Sequence, residues 1–393
     1  MGATVVQSAP TRTMQGIAVP AESVNPDAFF ELTRRHRTPE KNVAYGGGGT
    51  TQIIELRKAD ILSSLSLRFV GSLVVTPGTG TVASTAQWPL GIAGVRFTAN
   101  GQSNLINTGQ RGLKHLRARD LMRNSDLNDR GITQTFAGVA RSQGTMSYAH
   151  ESWGVGSNTS AIGAGTYNVD LTFPIPVAED EKLLLGAIFL QTSTSDLTLS
   201  IDEAPLTDLF ALTGNATVAL TGQWQVEATR FSIPVGPGGQ IVIPNLNVFH
   251  SIIGTRVANG IANGENELRV IGQGAGKSLL RIFGQVLNGS PAAPLAMTAA
   301  NFGAQSWRYG NNETPDSFFD GSQMRADMER RYNCDLGALW GYFCHDFANE
   351  NVFRDTVDMS TTAELRLVTT IQSAVALSTP VVEYVTETVF LAG

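Results

Sequence analysis

Two cysteines in 393 residues exclude a disulfide framework, and Cys334 and Cys344 have no second pair with which to cage a metal. The histidines at 36, 115, 150 and 250 are scattered, and His345 adjoins Cys344 rather than standing at ligand spacing. No metal and no cofactor is therefore expected. Charge is also scarce: Asp, Glu, Lys and Arg make up 16% of the chain, against about 25% in an ordinary soluble domain. No apolar run approaches the ~20 residues of a membrane-spanning helix. The N-terminus lacks a basic segment leading into an apolar stretch, and Val6 stands where acylation needs Ser or Thr, so no export is expected. A net charge of −6 gives no general footprint for nucleic acid. Few charges without a membrane span imply that much of the surface meets other protein. Of the 28 basic residues only five are lysine, and arginine suits interfaces through its planar, bidentate fork.

What is present includes one motif that invites a nucleotide. Residues 271 to 280 read IGQGAGKSLL, but a phosphate-binding loop needs a glycine five residues before Gly276, and that position is Ile271. The residues after Ser278 alternate as Leu279, Arg281, Phe283, Gln285 against Leu280, Ile282, Gly284, Val286. That is a strand, where a phosphate site requires a helix N-terminus. The glycines are expected to form a hairpin connection.

The dominant period is two. Leu65, Leu67, Phe69 and Leu73 alternate with polar residues, as do Tyr167, Val169, Leu171 and Phe173, then Leu197, Leu199 and Ile201. The pattern returns at Trp224, Val226 and Ala228, at Ala363, Leu365 and Leu367, and at Val382, Tyr384 and Thr386. Short strands of this kind, punctuated by turn residues, predict antiparallel sandwiches with one face in a core. Helical spacing occurs at 104 to 124 and at 320 to 333, the latter with Asp320 or Ser322 as cap. Three strand-like runs come after each helix, at 167–173, 197–201 and 223–233 and at 336–347, 363–371 and 381–390, which is a repeat of architecture without sequence identity. The stretch Pro234 to Gly239 between the halves has linker composition.

The first residues differ. Residues 1 to 24 predict an extended arm, then a short helix with Asn25 as cap, Pro26 at its first position and Phe29, Phe30 and Leu32 as its apolar face. Arg34, Arg35, His36 and Arg37 come next, Pro39 is expected to stop the helix, and Gly46 to Gly49 to form a flexible joint. A second basic set, Arg111, Lys114, His115, Arg117, Arg119 and Arg123, is expected to ion-pair with a neighbouring subunit rather than bind DNA, since Asp120 lies within it.

Taken together, the chain resembles the double jelly-roll major capsid proteins of tailless, internally membraned bacteriophages of the tectivirus kind. The resemblance rests on FPIPVAEDEKLLLGAIF at 173–189 and the LTLSIDE after it, on EATRFSIPVGPGGQIVIPNL at 227–246, on GSQMRADMERRYNCDLGALWGYFCHDF, and on the ending VVEYVTETVFLAG. It implies an all-β fold of two tandem eight-stranded jelly-roll β-sandwiches, each with a flanking helix, plus an N-terminal arm with a short helix. The expected division is 1–45 for the arm, 46–235 for the first jelly roll and 236–393 for the second. The resemblance further implies a structural, non-enzymatic protein that forms pseudo-hexagonal homotrimers tiling an icosahedral shell over an internal membrane. Its expected partners are itself, vertex and minor capsid proteins, and the viral membrane through the arm, with no specific nucleic-acid binding. Phe29, Phe30, Arg34, Arg35 and Arg37 are the candidate membrane or neighbour contacts. The expected location is the virion capsid, after folding in the host cytoplasm. The rival is a β-sandwich glycosidase or carbohydrate-binding protein using Glu179, Asp180 and Glu181, or Asp346 and Glu350. Its two carboxylates would have to face each other across a cleft, and sequence neighbours on one strand cannot.

Overall fold

The computed structural model describes residues 13–14, 17–18, 26–99, 102–123, 161–178, 184, 186–189, 196–235, 250–270, 277–290, 292–309, 312–332, 341–347, 357–359 and 365–390. A helix α1 (Pro26–Leu32) precedes eight principal strands: β1 (Arg35–Ala44), β2 (Thr51–Glu55), β3 (Ile61–Thr76), β4 (Ala93–Ala99), β5 (Gln102–Asn107), β6 (Gly165–Pro176), β7 (Leu197–Glu203) and β8 (Thr217–Phe231). Helix α2 (Leu113–Arg123) sits between β5 and β6. Eight more strands complete the chain: β9 (His250–Asn259), β10 (Gly264–Val270), β11 (Lys277–Asn288), β12 (Phe302–Tyr309), β13 (Asp316–Phe318), β14 (Tyr342–Asp346), β15 (Leu365–Ile371) and β16 (Val381–Phe390). Helix α3 (Gly321–Tyr332) sits between β13 and β14.

The pairing is the same in both halves. In the first, β1-β8-β3-β6 form one sheet and β2-β7-β4-β5 the other. In the second, β9-β16-β11-β14 and β10-β15-β12-β13 repeat that order, each strand eight places later. Two eight-stranded jelly rolls therefore stand in tandem, each with its helix after the fifth strand. The rolls share a sheet: β5 of the first pairs in parallel with β9 of the second, Ile106 opposite Ile253 and Asn107 opposite Gly254.

The period-two runs place their apolar faces as expected. Leu67, Phe69, Phe173, Leu199, Ile201 and Trp224 are all fully buried in one contiguous core that runs through both rolls. The long strands suit this role because branched and aromatic residues pack well on a pleated surface. Trp224 stacks edge-on to Phe69 and donates its indole N–H to Glu203 Oε1 at 3.0 Å.

Several expectations are corrected. The basic run after Leu32 does not extend α1: the helix ends at Leu32, and Arg35 to Ala44 form β1 against β8. These ten residues belong to the first roll, although composition places them in the arm. Pro39 is tolerated because β1 is an edge strand, where a missing N–H costs no ladder bond. The register slips at Val226/Glu227 opposite Pro39 and Lys41, and the bulged Glu40 reaches the fully buried Arg230, which also donates to Arg57 O at 2.9 Å. Residues 46 to 49 are not a loose joint. Gly46 N donates to both carboxylate oxygens of Glu203 at 3.2 and 3.1 Å, and Thr50 Oγ1 to Oε2 at 2.6 Å. Gly47 and Gly49 adopt φ of 96° and 86°, and a Cβ on Gly48 would lie 2.8 Å from Ala204 O. Glycine is needed there for tight contact rather than for motion. Residues 104 to 107 belong to β5 rather than to the helix, because their backbone pairs with β4 and β9. Asp320, not Ser322, caps α3, accepting from Gln323 N at 2.9 Å.

The glycine motif also departs from expectation in one respect. Residues 271 to 276 lie outside the described residues; β10 and β11, the strands on either side of them, lie in different sheets and do not pair with each other. The expected strand is present immediately after the motif and begins at Lys277. The linker from 236 onward and Glu179 to Glu181 also lie outside the described residues.

If the two inward faces carry the fold, Phe173→Ala should lower unfolding free energy by about 3–5 kcal/mol. Ile53→Thr, at a position 69% exposed on β2, should change it by no more than about 0.5 kcal/mol. Chemical denaturation of both variants checks this, the two shifts being expected to differ severalfold.

Candidate functional site: the N-terminal surface and the charged seam

The predicted contact residues are only partly on the surface. Phe29 is fully buried in a small cluster of its own with Ile61, Ala178, Leu184, Ala187 and Phe231. Its ring lies 5.5 Å from that of Phe30 and 6.4 Å from that of Phe231. Phe29 thus fastens α1 to the first roll and is not itself offered outward. Phe30 is half-buried, whereas Leu32, Arg34, Arg35 and Arg37 are exposed. Backbone bonds fix this segment: Arg34 N donates to Ser232 Oγ at 2.9 Å, and Ser232 N to Arg34 O at 3.0 Å. Arg37 pairs with Glu227 across the strand. The five residues do gather at one place, at the end of β8.

The second basic set departs furthest from its expected role. Lys114, His115 and Arg119 share one stripe of α2, which turns them toward β16 of the same chain, and Arg111 joins them from the turn just before the helix. Glu383 and Glu387, four apart on a strand, share one face of β16. Lys114 Nζ contacts Glu383 Oε2, and Arg111 Nη2 lies 3.2 Å from Glu383 Oε1. Arg119 Nε donates to Glu387 Oε1 at 2.6 Å. Arg281, on β11, stands 3.3 Å from Glu387 Oε2 and 3.8 Å from Asp346 Oδ1. Arg111 also reaches Asp208 at 3.5 Å. The expected partner, a neighbouring subunit, is therefore replaced by the second jelly roll of the same chain. Arg117 pairs locally with Asp120 at 3.0 Å, and the side chain of Arg123 lies outside the described residues.

This seam is dry. Lys114 is 1% exposed and Glu387 fully buried. Burial opposes charge on Lys114 and lowers its pKa, while Glu383 pulls in the other direction. Burial likewise opposes ionisation of Glu383, yet Lys114 and His115 outweigh it and hold the carboxyl well below its usual range. Burial opposes the charge of Arg281 too, and Glu387 and Asp346 together raise its pKa. His115 Nδ1 and Tyr342 Oη are 2.9 Å apart, and burial pushes His115 down to about 4. Asp346, a candidate of the glycosidase alternative, accepts from Tyr332 Oη at 2.6 Å and faces Arg281, so it belongs to this network. Among the described residues no group of three His, Cys, Asp or Glu could hold a metal ion.

His345, one residue before Asp346, carries no sequence signal for a role of its own. Neither ring nitrogen has a hydrogen-bond partner, and the side chain lines a small pocket with Asp316, Asp327, Arg331 and Tyr332. Burial, with a smaller contribution from Arg331, depresses its pKa to about 3.

With this geometry established, the fold can be placed among solved structures. The major capsid protein of Sulfolobus turreted icosahedral virus is similar over 91% of this chain and 97% of its own, at TM-score 0.62 and 12% identity. The major capsid protein of bacteriophage PM2 is similar over 92% and 98%, at TM-score 0.50 and 12% identity. A chain of the PBCV-1 virus capsid is similar over 92% and 95%, at TM-score 0.51 and 12% identity. Neither a protein-family model nor a curated protein matches the sequence. The chain has the double jelly-roll fold of these capsid proteins, along nearly its whole length.

The two buried histidines set an acid limit. Both pKa values are depressed below the ordinary value of about 6.5, so as pH falls through that value the unfolded chain takes up protons that the fold refuses. Stability should fall from about pH 6.5 down to about 4, by up to ~2.7 kcal/mol per pH unit for two protons. Below that window, Glu383 adds to the loss once the unfolded carboxyl protonates. Urea unfolding at pH 7, 6 and 5 should show this slope, and His345→Gln should roughly halve it.

Proposed function

We propose that this chain is the major capsid protein of an icosahedral virus, assembling as pseudo-hexagonal homotrimers that tile a shell over an internal membrane. The observation that carries this is the repeat: one pairing order occurs twice, and the two rolls are welded by a shared sheet and a buried ion network. Two similar rolls in each of three chains give six similar walls, which suits a hexagonal tile. A closed ring of heterologous contacts also avoids open-ended growth. The low charge content supports extensive lateral contact, as do Ile53, Val257 and Phe319, the last 88% exposed.

The role is structural, without catalysis. Asp346 is engaged in the ion network, which speaks against the glycosidase alternative. The domain division we propose ends the arm near residue 34, keeps β1 in the first roll, and places the boundary in the stretch that begins at Pro234. Within the arm and its junction, Phe30, Leu32, Arg34, Arg35 and Arg37 contact a neighbouring trimer or the membrane surface, with Phe29 as the internal anchor. Vertex and minor capsid proteins complete the shell, the chain has no specific nucleic-acid role, and it folds in the host cytoplasm before joining the virion.

Light scattering on the purified protein should give the mass of three chains, and negative-stain images should show hexagonal particles. Deleting residues 1–24 should leave this trimer and its melting temperature unchanged while blocking or misdirecting shell assembly. Deleting 1–44 should instead destabilise the fold by about 3–5 kcal/mol, because it removes an edge strand and leaves buried Arg230 without Glu40. A monomer at all concentrations would contradict the capsid function, and normal shells from the shorter deletion would remove the arm's role.

A further inference from the structure

Lys114 makes a second contact that the ion network does not require. Its Nζ donates to the side-chain oxygen of Gln87 at 3.0 Å while also touching Glu383 Oε2. Gln87 lies in the connection leading to β4, on the first roll. All three side chains are buried: Gln87 is 3% exposed, Lys114 1% and Glu383 5%. A primary amine, a carboxamide and a carboxylate are thus held together out of water. These are the three parts of an acyl transfer: nucleophile, acyl carbon, and a base that can return its proton to the leaving group.

We propose that Lys114 and Gln87 join in an isopeptide bond, with Glu383 moving the protons. Glu383 Oε2 takes one proton from the Lys114 ammonium, and the freed Nζ lone pair forms a bond to Gln87 Cδ as the carbonyl π pair moves onto Oε1. Collapse of that oxyanion breaks the Cδ–Nε2 bond. Glu383 returns its proton to Nε2, and the surplus proton on Nζ departs with it, so ammonium leaves, an Nζ–Cδ amide remains, and Glu383 is again ionised. No oxidant, metal or second substrate is consumed. Burial favours the first transfer, since the neutral amine and acid carry no desolvation cost, and it lowers the pKa of Lys114; the ion pair opposes it by holding the Glu383 carboxyl low, so the transfer runs uphill and the loss of ammonium draws it forward. Holding the reactants in contact removes the entropy of bringing them together.

The bond would tie α2 to the connection before β4, closing a separation of 27 residues within the first roll. Its proton carrier comes from β16 of the second roll. The cross-link therefore forms only after the two rolls have docked, and it records correct docking covalently. This inference goes beyond the capsid function and does not depend on it.

The test is the intact mass of the folded, full-length protein after incubation at neutral pH. It should be lighter than the sequence mass by one ammonia, and tandem mass spectrometry should recover the Lys114 peptide joined to the Gln87 peptide. Gln87→Met keeps the Lys114–Glu383 pair but has no acyl carbon, so it should fold, show no loss of ammonia and melt below the parent protein. A folded parent protein at its full sequence mass would overturn the proposal. So would an ammonia loss that maps to succinimides at Asn100–Gly101, Asn259–Gly260, Asn263–Gly264 or Asn288–Gly289 while Lys114 stays unmodified.

Discussion

The structure depends on one constraint: the charges buried between α2, β11 and β16 must be matched, because water scarcely reaches them. Three buried cations, Lys114, Arg119 and Arg281, meet three anions, Glu383, Glu387 and Asp346, drawn from both rolls, and at the partly exposed edge Arg111 joins Glu383 to Asp208. Such a network adds little net stability over a well-packed apolar interface, but removing one member leaves a buried charge without a partner. Its effect is to define a single way for the rolls to dock. The parallel pairing of β5 with β9 adds backbone register to that definition, and together they make a rigid two-roll block out of two sandwiches that a flexible linker would leave independent.

That rigidity suits the proposed role as a shell tile, in which a contact made by one roll would transmit force to the other only through a joint that does not yield. The remaining surface can then be sparing in charge, because the chain places several of its ionisable residues inside. The described part of the N-terminal segment is arranged in the same way: Phe29 is committed to the interior and Glu40 to Arg230, while Leu32, Arg34, Arg35 and Arg37 beside them are exposed.

Much of this fold is legible in the sequence and some is not, for identifiable reasons. Half-buried strands such as β3, β6 and β7 announce themselves because one face is apolar and the other wet. β16 does so only in part: Val382, Tyr384 and Thr386 alternate, but Glu383 and Glu387 mark what looks like a wet face and is in fact covered by α2. β1 is hidden by its composition, since RHRTPEKNVA has charges throughout and a proline, and becomes a strand only through its pairing with β8. β5 merges with the helix after it because its six residues are too few to establish a period. For the seam, both halves of the signal are present: the stripe 114, 115 and 119 on a helix, with 111 just before it, and acids four apart on a strand. Nothing in the linear order says that they meet across 268 residues of sequence separation. The direction of the Phe29 ring is equally beyond the sequence, because an apolar helix face reads the same whether it docks on its own chain or on another surface.

The claim that the seam docks the two rolls is tested most directly by a double-mutant cycle on Arg119 and Glu387. Arg119→Met and Glu387→Leu should each lower unfolding free energy by about 3–5 kcal/mol. The double variant should lose less than their sum, giving a coupling energy of about 2 kcal/mol or more. Losses that simply add, to within about 0.5 kcal/mol, would mean that the two residues do not act on each other across the joint.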